Sequence, residues 1–215
     1  MVRFFAAICL GVLLLTPAAQ APAADPQTGD TPPTSAPVDG FRNAKWGMTE
    51  AAVKSAIFAE FKIPVDKLKG EVNPTEKTTV LSITVPELIE SAGIARISYI
   101  LGYQTKRLIE VNIVWGTAVD PQAKPEMVVA AANQLRDLFL ASGYDSSTVA
   151  TNARGSDGSI VVFTGQDTDK HTTVLRLLRR AGDEKEKQPP ATALFLSYIM
   201  DRRHPDIFHL KSGQF

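Results

Sequence analysis

The feature of this sequence that most constrains its fold is an order of patterns that occurs twice along the chain. In each occurrence, an apolar helical stripe is followed by three short segments in which apolar and polar side chains alternate. Such alternation is typical of strands with one buried face, and the stripe is typical of a helix packed on one side. The order predicts an α+β fold of two tandem helix-plus-three-antiparallel-strand units, which form a sheet with helices on one face.

The first unit is predicted to span residues 40–118. Its helix is expected to begin after Thr49, whose hydroxyl suits an N-cap, while Met48 and Val53 have the spacing of a hydrophobic staple. The three predicted strands cover residues 79–85, 94–102 and 107–116. The short polar segment GYQTKR between the second and third strands predicts a hairpin loop.

The second unit is predicted to span residues 119–215 and to end in a C-terminal tail. Pro125 suits the first position of a helix, where no amide donor is needed, and Gly143 is placed as its C-terminal stop. The predicted strands cover residues 159–165, 171–180 and 192–200. Residues 171–180 are long enough for a helix, but their Thr-Thr-Val start and their alternation favour a strand.

The N-terminal segment has the pattern of an export signal. Arg3 precedes an apolar run, and small residues in A-x-A spacing follow, so residues 1–24 are predicted to be a signal peptide. The apolar run is too short to span about 30 Å of hydrocarbon, so no transmembrane segment is expected after cleavage. Residues 25–39 are rich in Pro and Thr and are predicted to be a flexible leader. The sequence therefore predicts a bacterial periplasmic or secreted protein.

Cysteine content and charge exclude several classes of function. Cys9 is the only cysteine and lies within the predicted signal peptide, so the mature chain is predicted to lack thiolate catalysis, thiolate metal sites and disulfides. The 23 basic and 23 acidic residues balance, so no net positive field is available to attract nucleic acid. We therefore expect no nucleic-acid partner, while the composition leaves the oligomeric state open.

No catalytic constellation is evident, and no cofactor is predicted. The sequence contains neither a nucleophile elbow nor a glycine loop of the kind that cradles phosphate. Asp201, His204, Asp206 and His209 are metal-ligand types at close spacing, but the two histidines do not share one helical face. Pro205 also biases His204 away from helical geometry. The pattern favours a solvated tail over a metal site.

The candidate binding residues are aromatic and basic side chains near the predicted helix start and the first hairpin. Aromatic residues and arginine are common anchors at interfaces. For Trp46, the sequence leaves open whether its side chain grips a ligand or packs at the entry to the first helix. The basic clusters are either solvated faces or a surface for an acidic partner. The candidates are Trp46, Tyr99, Tyr103, Lys106 and Arg107.

The helix start carries a resemblance to a known group of exported proteins. Gly47, Met48 and Thr49 open the helix, and Val53 follows soon after. This turn, followed by three antiparallel strands, resembles the BamE/SmpA outer-membrane-assembly lipoproteins, and the tandem doubling looks like the β-lactamase-inhibitory-protein architecture. The chain departs from the lipoproteins because it lacks their lipid-anchoring cysteine. The resemblance implies a protein-binding scaffold.

Three functional hypotheses follow from these patterns. We expect a non-enzymatic periplasmic binding or assembly protein that acts through its sheet face, with another envelope protein as its partner. The first alternative is a small-molecule or envelope-stress sensing module, with its ligand held between the helices and the sheet. The second alternative is a metal-dependent hydrolase.

Overall fold

The computed structural model describes residues 37–182 and 190–210. The predicted signal peptide and most of the predicted leader lie outside these residues. The described part has an α+β fold, as the sequence predicts, with two α-helices, an eight-stranded antiparallel sheet and a separate two-stranded ribbon. Both helices flank one face of the large sheet, and neither covers the opposite face.

The elements follow each other in the predicted order. In the first half they are β1 (Gly40–Phe41), β2 (Ala44–Lys45), α1 (Glu50–Phe61), a 3-10 helix (Val65–Lys67), β3 (Lys69–Val72), β4 (Thr79–Val85), β5 (Ala95–Leu101) and β6 (Leu108–Gly116). In the second half they are α2 (Pro125–Leu140), β7 (Ala153–Arg154), β8 (Ile160–Gln166), β9 (Thr172–Arg180) and β10 (Ala191–Ile199). All six predicted strands are present, as β4 to β6 and β8 to β10.

The two halves join through their last strands. The strand order is β3-β4-β5-β6-β10-β9-β8-β7, and every neighbouring pair is antiparallel. Each half therefore contributes four strands, one more than the alternation predicts. The additional strands, β3 and β7, are the short outer edges, and all their residues are exposed. An exposed strand has no buried face and so carries no alternation in its sequence.

The helix boundaries follow from local signals. Thr49 caps α1, because its Oγ1 accepts a hydrogen bond of 3.3 Å from the Ala52 amide. Lys62 ends the helix in a left-handed conformation with φ of 49°. Helix α2 begins at Pro125, as predicted, but ends at Leu140, before Gly143. Gly143 instead adopts a φ of 74° in the turn that follows.

The face of the sheet beneath the helices forms the core. Paired residues of antiparallel strands project on the same side, so the register places apolar side chains in continuous transverse rows. The central row contains Ile83, Ile97, Ile113, Leu196, Leu175 and Phe163. Val53 and Ile57 of α1, with Leu135 and Phe139 of α2, pack into the same cluster. Each such side chain contributes about 1.5–3 kcal/mol through burial.

One detail of the predicted alternation is wrong at the start of β6. The sequence pattern groups Ile109 with Val111 and assigns Leu108 to the opposite face. In the structure the register shifts, so that Leu101 pairs with Leu108 while the preceding residue, Ile100, pairs with Glu110. Ile109 is thereby left as the extra residue of a β-bulge, and Leu108 moves into the core at 0% exposure.

Candidate functional site

The candidate functional site is the face of the eight-stranded sheet opposite the helices, which we call the open face. Its side chains form three transverse rows, which we name the arginine, serine–asparagine and glutamate rows. The arginine row is Thr84, Arg96, Val114, Phe195, Arg176 and Val161. The serine–asparagine row is Ser82, Ser98, Asn112, Ser197, Val174 and Thr164. The glutamate row is Val80, Ile100, Glu110, Ile199, Thr172 and Gln166.

The arginine row places two cations on either side of an apolar centre. Arg96 on β5 and Arg176 on β9 are exposed, and Val114 and Phe195 lie half-buried between them. Three strand spacings separate the two arginine Cα atoms, a distance of about 14 Å. The Arg176 guanidinium lies 5.7 Å from the centre of the Phe195 ring and donates a 3.2 Å hydrogen bond to Asp157. Such a strip can contact an apolar side chain and acidic groups at the same time.

The serine–asparagine row is largely satisfied by its own hydrogen bonds. The hydroxyls of Ser82 and Ser98 lie 3.1 Å apart, and Ser197 donates to the Asn112 carbonyl oxygen at 2.5 Å. The Asn112 amide in turn donates to Glu110 at 2.7 Å. Groups that are already paired gain little from a new polar partner. This row therefore supplies a flat polar strip, and the arginine row is the stronger candidate for specific contacts.

An apolar groove adjoins the arginine row at the end of the sheet where β6, β9 and β10 meet. It has a volume of about 520 Å³. Ala118, Leu178, Ala193 and Phe195 are among the side chains that line it, and Arg180 stands at its border. Concave apolar sites of this size hold small ligands or the anchor side chains of protein partners.

Glu110 is the acidic side chain on the six long strands of the open face, and Glu71 on the edge strand β3 pairs with Val80 at the end of the same row. Burial raises the pKa of the Glu110 carboxyl group above the usual range, the hydrogen bond from Asn112 partly opposes this, and Glu76 adds to it. Ile100 on one neighbouring strand and Ile199 on the other flank it in the register. At mildly acidic pH, Glu110 therefore contributes less negative charge to the open face than a glutamate with an ordinary pKa would.

The five predicted binding residues do not form one surface. Tyr99 lies on the helix-side face of β5 and is 1% exposed. Burial raises the pKa of its phenol well above the usual range. The charge of Arg42 lowers this pKa by a smaller amount, and the charge of Glu60 raises it slightly further. Tyr99 is thus a core residue in this structure, and the other four candidates lie in two separate places.

Trp46 belongs to a cluster that fastens the start of the described chain, which we call the N-terminal clasp. Trp46 is half-buried, and its indole N–H donates to the Val38 carbonyl at 2.5 Å. The Val38 amide donates to the Asp167 carboxylate at 2.6 Å. The rings of Trp46 and His171 lie 6.0 Å apart, and His171 Nδ1 lies 3.0 Å from the same carboxylate. The geometry gives Trp46 a packing and fastening role within the chain.

Tyr103, Lys106 and Arg107 lie together in the β5–β6 hairpin, but they are engaged within the chain. The Tyr103 ring meets Phe208 edge-on at 5.5 Å, and the Lys106 ammonium lies 5.3 Å from the Tyr103 ring centre. Arg107 donates to the Gly47 carbonyl at 3.1 Å. These residues join the hairpin to the C-terminal tail and to the start of α1.

The histidines are dispersed over the described residues. His171 belongs to the clasp, His204 Nδ1 lies 3.4 Å from Asp201, and His209 is exposed. Asp206 does not approach them; its carboxylate accepts hydrogen bonds from the Gln104 and Thr105 amides and from the Thr105 hydroxyl. Within residues 37–182 and 190–210, no group of three or more His, Cys, Asp or Glu side chains is arranged to hold a metal ion.

Sequence reasoning did not identify Asp167, Phe195 or the groove. Asp167 follows β8 in a polar turn and has no local signal for burial, although its side chain is 0% exposed. Phe195 alternates with Leu194 and Leu196 in a nearly continuous apolar run, so the pattern does not tell which side faces outward. The signals that mark the outward face are Ser197, a polar residue two positions after Phe195 on the same strand face, and Arg176, which lies opposite Phe195 in the register.

Comparisons with known proteins add no relative from which a role could be transferred. No family model, curated protein or solved structure matches this chain. None of the helices in the described part of the chain has the length and apolar character needed to span a membrane. The functional assignment therefore rests on the geometry of the open face.

Proposed function

We propose that this chain is a non-enzymatic periplasmic binding or assembly protein, which engages another envelope protein through the open face. The observation that carries this proposal is the position of the arginine row beside the apolar groove, on the face that neither helix covers. Apolar anchors bordered by arginine are the composition in which binding hot spots concentrate. The sequence pattern of an export signal supports the periplasmic location.

The charges of the open face indicate the kind of partner. Arg96 and Arg176 stand about 14 Å apart across the arginine row, and Arg180 borders the groove. Glu110, the acid on the six long strands of this face, has a raised pKa because of its burial. The acids near Arg96, which are Asp66 and Glu71, lie at the β3 edge beside Lys67 and Lys69. A partner segment with acidic groups on either side of an apolar side chain would match this arrangement, with the apolar side chain in the groove.

The proposal is tested by photocrosslinking in intact cells. A photoreactive amino acid is placed at Val114, in the centre of the arginine row, and in a second variant at Leu138, which is 58% exposed on α2. We expect a discrete protein adduct from position 114 and none from position 138. Absence of an adduct at 114, or the same adduct at both positions, would contradict the assignment of the open face.

A charge-reversal pair makes the test specific for the arginine row. Arg96→Glu reverses an exposed charge on the open face, and Arg136→Glu reverses the charge of a half-buried arginine on α2 that pairs with Asp137 at 2.9 Å. We expect Arg96→Glu to reduce the adduct at position 114, because it opposes an acidic partner. Arg136→Glu should leave it unchanged, and equal losses in both variants would indicate a non-specific effect of net charge.

The second candidate function is a small-molecule or envelope-stress sensing module, and the groove of about 520 Å³ is the observation that favours it. This groove lies on the open face, whereas the sequence hypothesis places the ligand between the helices and the sheet. Native mass spectrometry of the purified protein tests this candidate. A bound mass that disappears in Ala118→Trp, which fills the mouth of the groove, would support sensing. A protein adduct at Val114 without any bound mass would support the binding protein.

A further inference from the structure

A second recess lies at the β7 edge of the sheet, beside the start of β8 and the end of β9. We call it the two-arginine pocket, and its volume is about 390 Å³. It is lined by Arg154, Gly155, Ser156, Gly158, Ile160, Leu177 and Arg179. Its residues belong neither to the open-face rows nor to the groove. Its role is therefore independent of the proposed function.

The register places both arginines on the helix-side face of the sheet. Arg154 pairs with Ile160, and Ile160 pairs with Leu177, so these three side chains form one transverse row. Arg179 lies two residues beyond Leu177 on β9 and therefore projects from the same face. Two strand spacings and two residues along a strand separate the arginine Cα atoms, a distance of about 12 Å. Two extended arginine side chains can reach a common ligand across that distance.

The charge of the pocket is positive on both sides. Within residues 37–182 and 190–210, neither Arg154 nor Arg179 forms an ion pair with a carboxylate. The acid nearest in sequence to Arg154, Asp157, is directed to Arg176 on the open face at 3.2 Å. It also accepts hydrogen bonds from the amide and hydroxyl of Ser159. The two guanidinium groups therefore face the pocket without a compensating charge from this turn.

The floor and the rim of the pocket differ in chemistry. Leu177 is 7% exposed and Ile160 is 38% exposed, so an apolar surface lies between the arginines. Gly155, Ser156 and Gly158 of the β7–β8 turn line the rest of the pocket, and Gly158 adopts a φ of 78°. Guanidinium groups bind carboxylate and phosphate through paired hydrogen bonds, and an apolar floor accommodates the group attached to the anion.

We propose that the two-arginine pocket binds an oxyanion, either a carboxylate or a phosphate monoester, that carries a small apolar substituent. Arg154 and Arg179 hold the oxygens from opposite sides, and the substituent packs on Ile160 and Leu177. The hydroxyl of Ser156 supplies a further donor at the rim. Inorganic phosphate has no substituent to bury, so it binds more weakly than phenyl phosphate.

The proposal is tested by calorimetric titration with phenyl phosphate, benzoate and inorganic phosphate. The variants are Arg154→Gln and Arg179→Gln, and the matched control is Arg203→Gln. Arg203 is exposed in the C-terminal tail and lies near Gln166, at the other end of β8 from Ile160, so its substitution removes the same charge elsewhere. All three substituted positions are exposed, and unfolding curves confirm that each protein is folded.

We expect saturable binding of phenyl phosphate or benzoate, and the tighter of the two identifies the class of anion. Arg154→Gln and Arg179→Gln should each weaken binding at least about tenfold, because each removes a charged pair of hydrogen bonds. Arg203→Gln should change it by less than about twofold. No saturable binding of either aromatic anion would overturn the proposal. Equal weakening by Arg203→Gln would overturn it as well, since only net charge would then matter.

Discussion

The sharpest prediction concerns Asp167, whose carboxylate holds the N-terminal clasp together. Its Oδ1 accepts hydrogen bonds of 2.9 Å from the amides of Asp169 and His171. Its Oδ2 accepts a 2.6 Å bond from the Val38 amide and lies 3.0 Å from His171 Nδ1. Asp167→Asn keeps Oδ1 but places an NH₂ group against the Val38 N–H. The variant therefore loses the charge-assisted hydrogen bond from the Val38 amide and leaves this half-buried donor without an acceptor, while the new NH₂ group lies against His171 Nδ1.

The expected cost follows from that single bond. A hydrogen bond to a charged acceptor contributes about 1.5–3 kcal/mol, so we expect Asp167→Asn to lower the free energy of unfolding by about 2 kcal/mol. For a chain of this size, that change lowers Tm by about 4–8 °C. Asp167→Ala removes every acceptor and should cost about 4 kcal/mol. Denaturant unfolding measures both values, and amide exchange at Val38 reports whether the clasp has opened.

The control is Asp169→Asn, an exposed aspartate two positions away whose side chain accepts none of the clasp's hydrogen bonds. It should unfold within about 0.5 kcal/mol of the wild type. The reasoning fails if Asp167→Asn unfolds at the wild-type midpoint while the Val38 amide remains protected. It fails equally if both variants lose the same stability, because burial of the carboxylate would then be irrelevant.

Three further predictions concern the sheet and the tail. Burial raises the pKa of Glu110 in the folded protein, so its contribution to stability is present at low pH and lost as pH rises through the folded pKa. Glu110→Gln should therefore stabilise the protein at pH 7 relative to wild type, and this advantage should shrink in unfolding curves recorded near pH 4. Asp206→Ala removes three hydrogen bonds to the β5–β6 hairpin and should cost about 1–2 kcal/mol, with faster exchange of the Thr105 amide as the local readout. Leu196→Ala, at a 2% exposed position in the centre of the core, should cost about 3 kcal/mol in denaturant unfolding, whereas Leu138→Ala on the exposed side of α2 should cost less than about 1 kcal/mol.

The sequence predicts the six long strands because each has one face buried. In β4, for example, Leu81, Ile83 and Val85 are buried while Thr84 is exposed, so alternation and burial coincide. The edge strand β3 is missed because none of its residues is buried, and its sequence KGEV shows no period. Gly70 within it and the prolines before and after it favour a loop by local criteria, and the pairing with β4 orders it as a strand.

The candidate site was less predictable because it depends on contacts between distant parts of the chain. The Val38–Asp167 hydrogen bond joins residues 129 positions apart, and no local sequence pattern predicts a partner at that separation. The arginine row likewise exists only once β5, β6, β10 and β9 lie side by side in this order. Periodicity indicates that a strand has two different faces. It does not state which strands will be neighbours, and so which side chains will share a surface.

The pairing of β6 with β10 has a consequence for how the chain folds. Ser82 and Ser98, which meet across β4 and β5, are 16 positions apart, whereas Ser197 and Asn112 across the central pair are 85 positions apart. Closing the longer loop costs more chain entropy, and this cost comes before the contacts between β6 and β10 can stabilise the chain. The centre of the sheet should therefore form after its two halves. Until β10 arrives, β6 is an unprotected edge that carries Val111, Ile113 and Trp115. The long apolar edge of β6 is therefore protected from edge-to-edge association only when β10 is in place, which leaves the short, exposed strands β3 and β7 as the edges of the finished sheet.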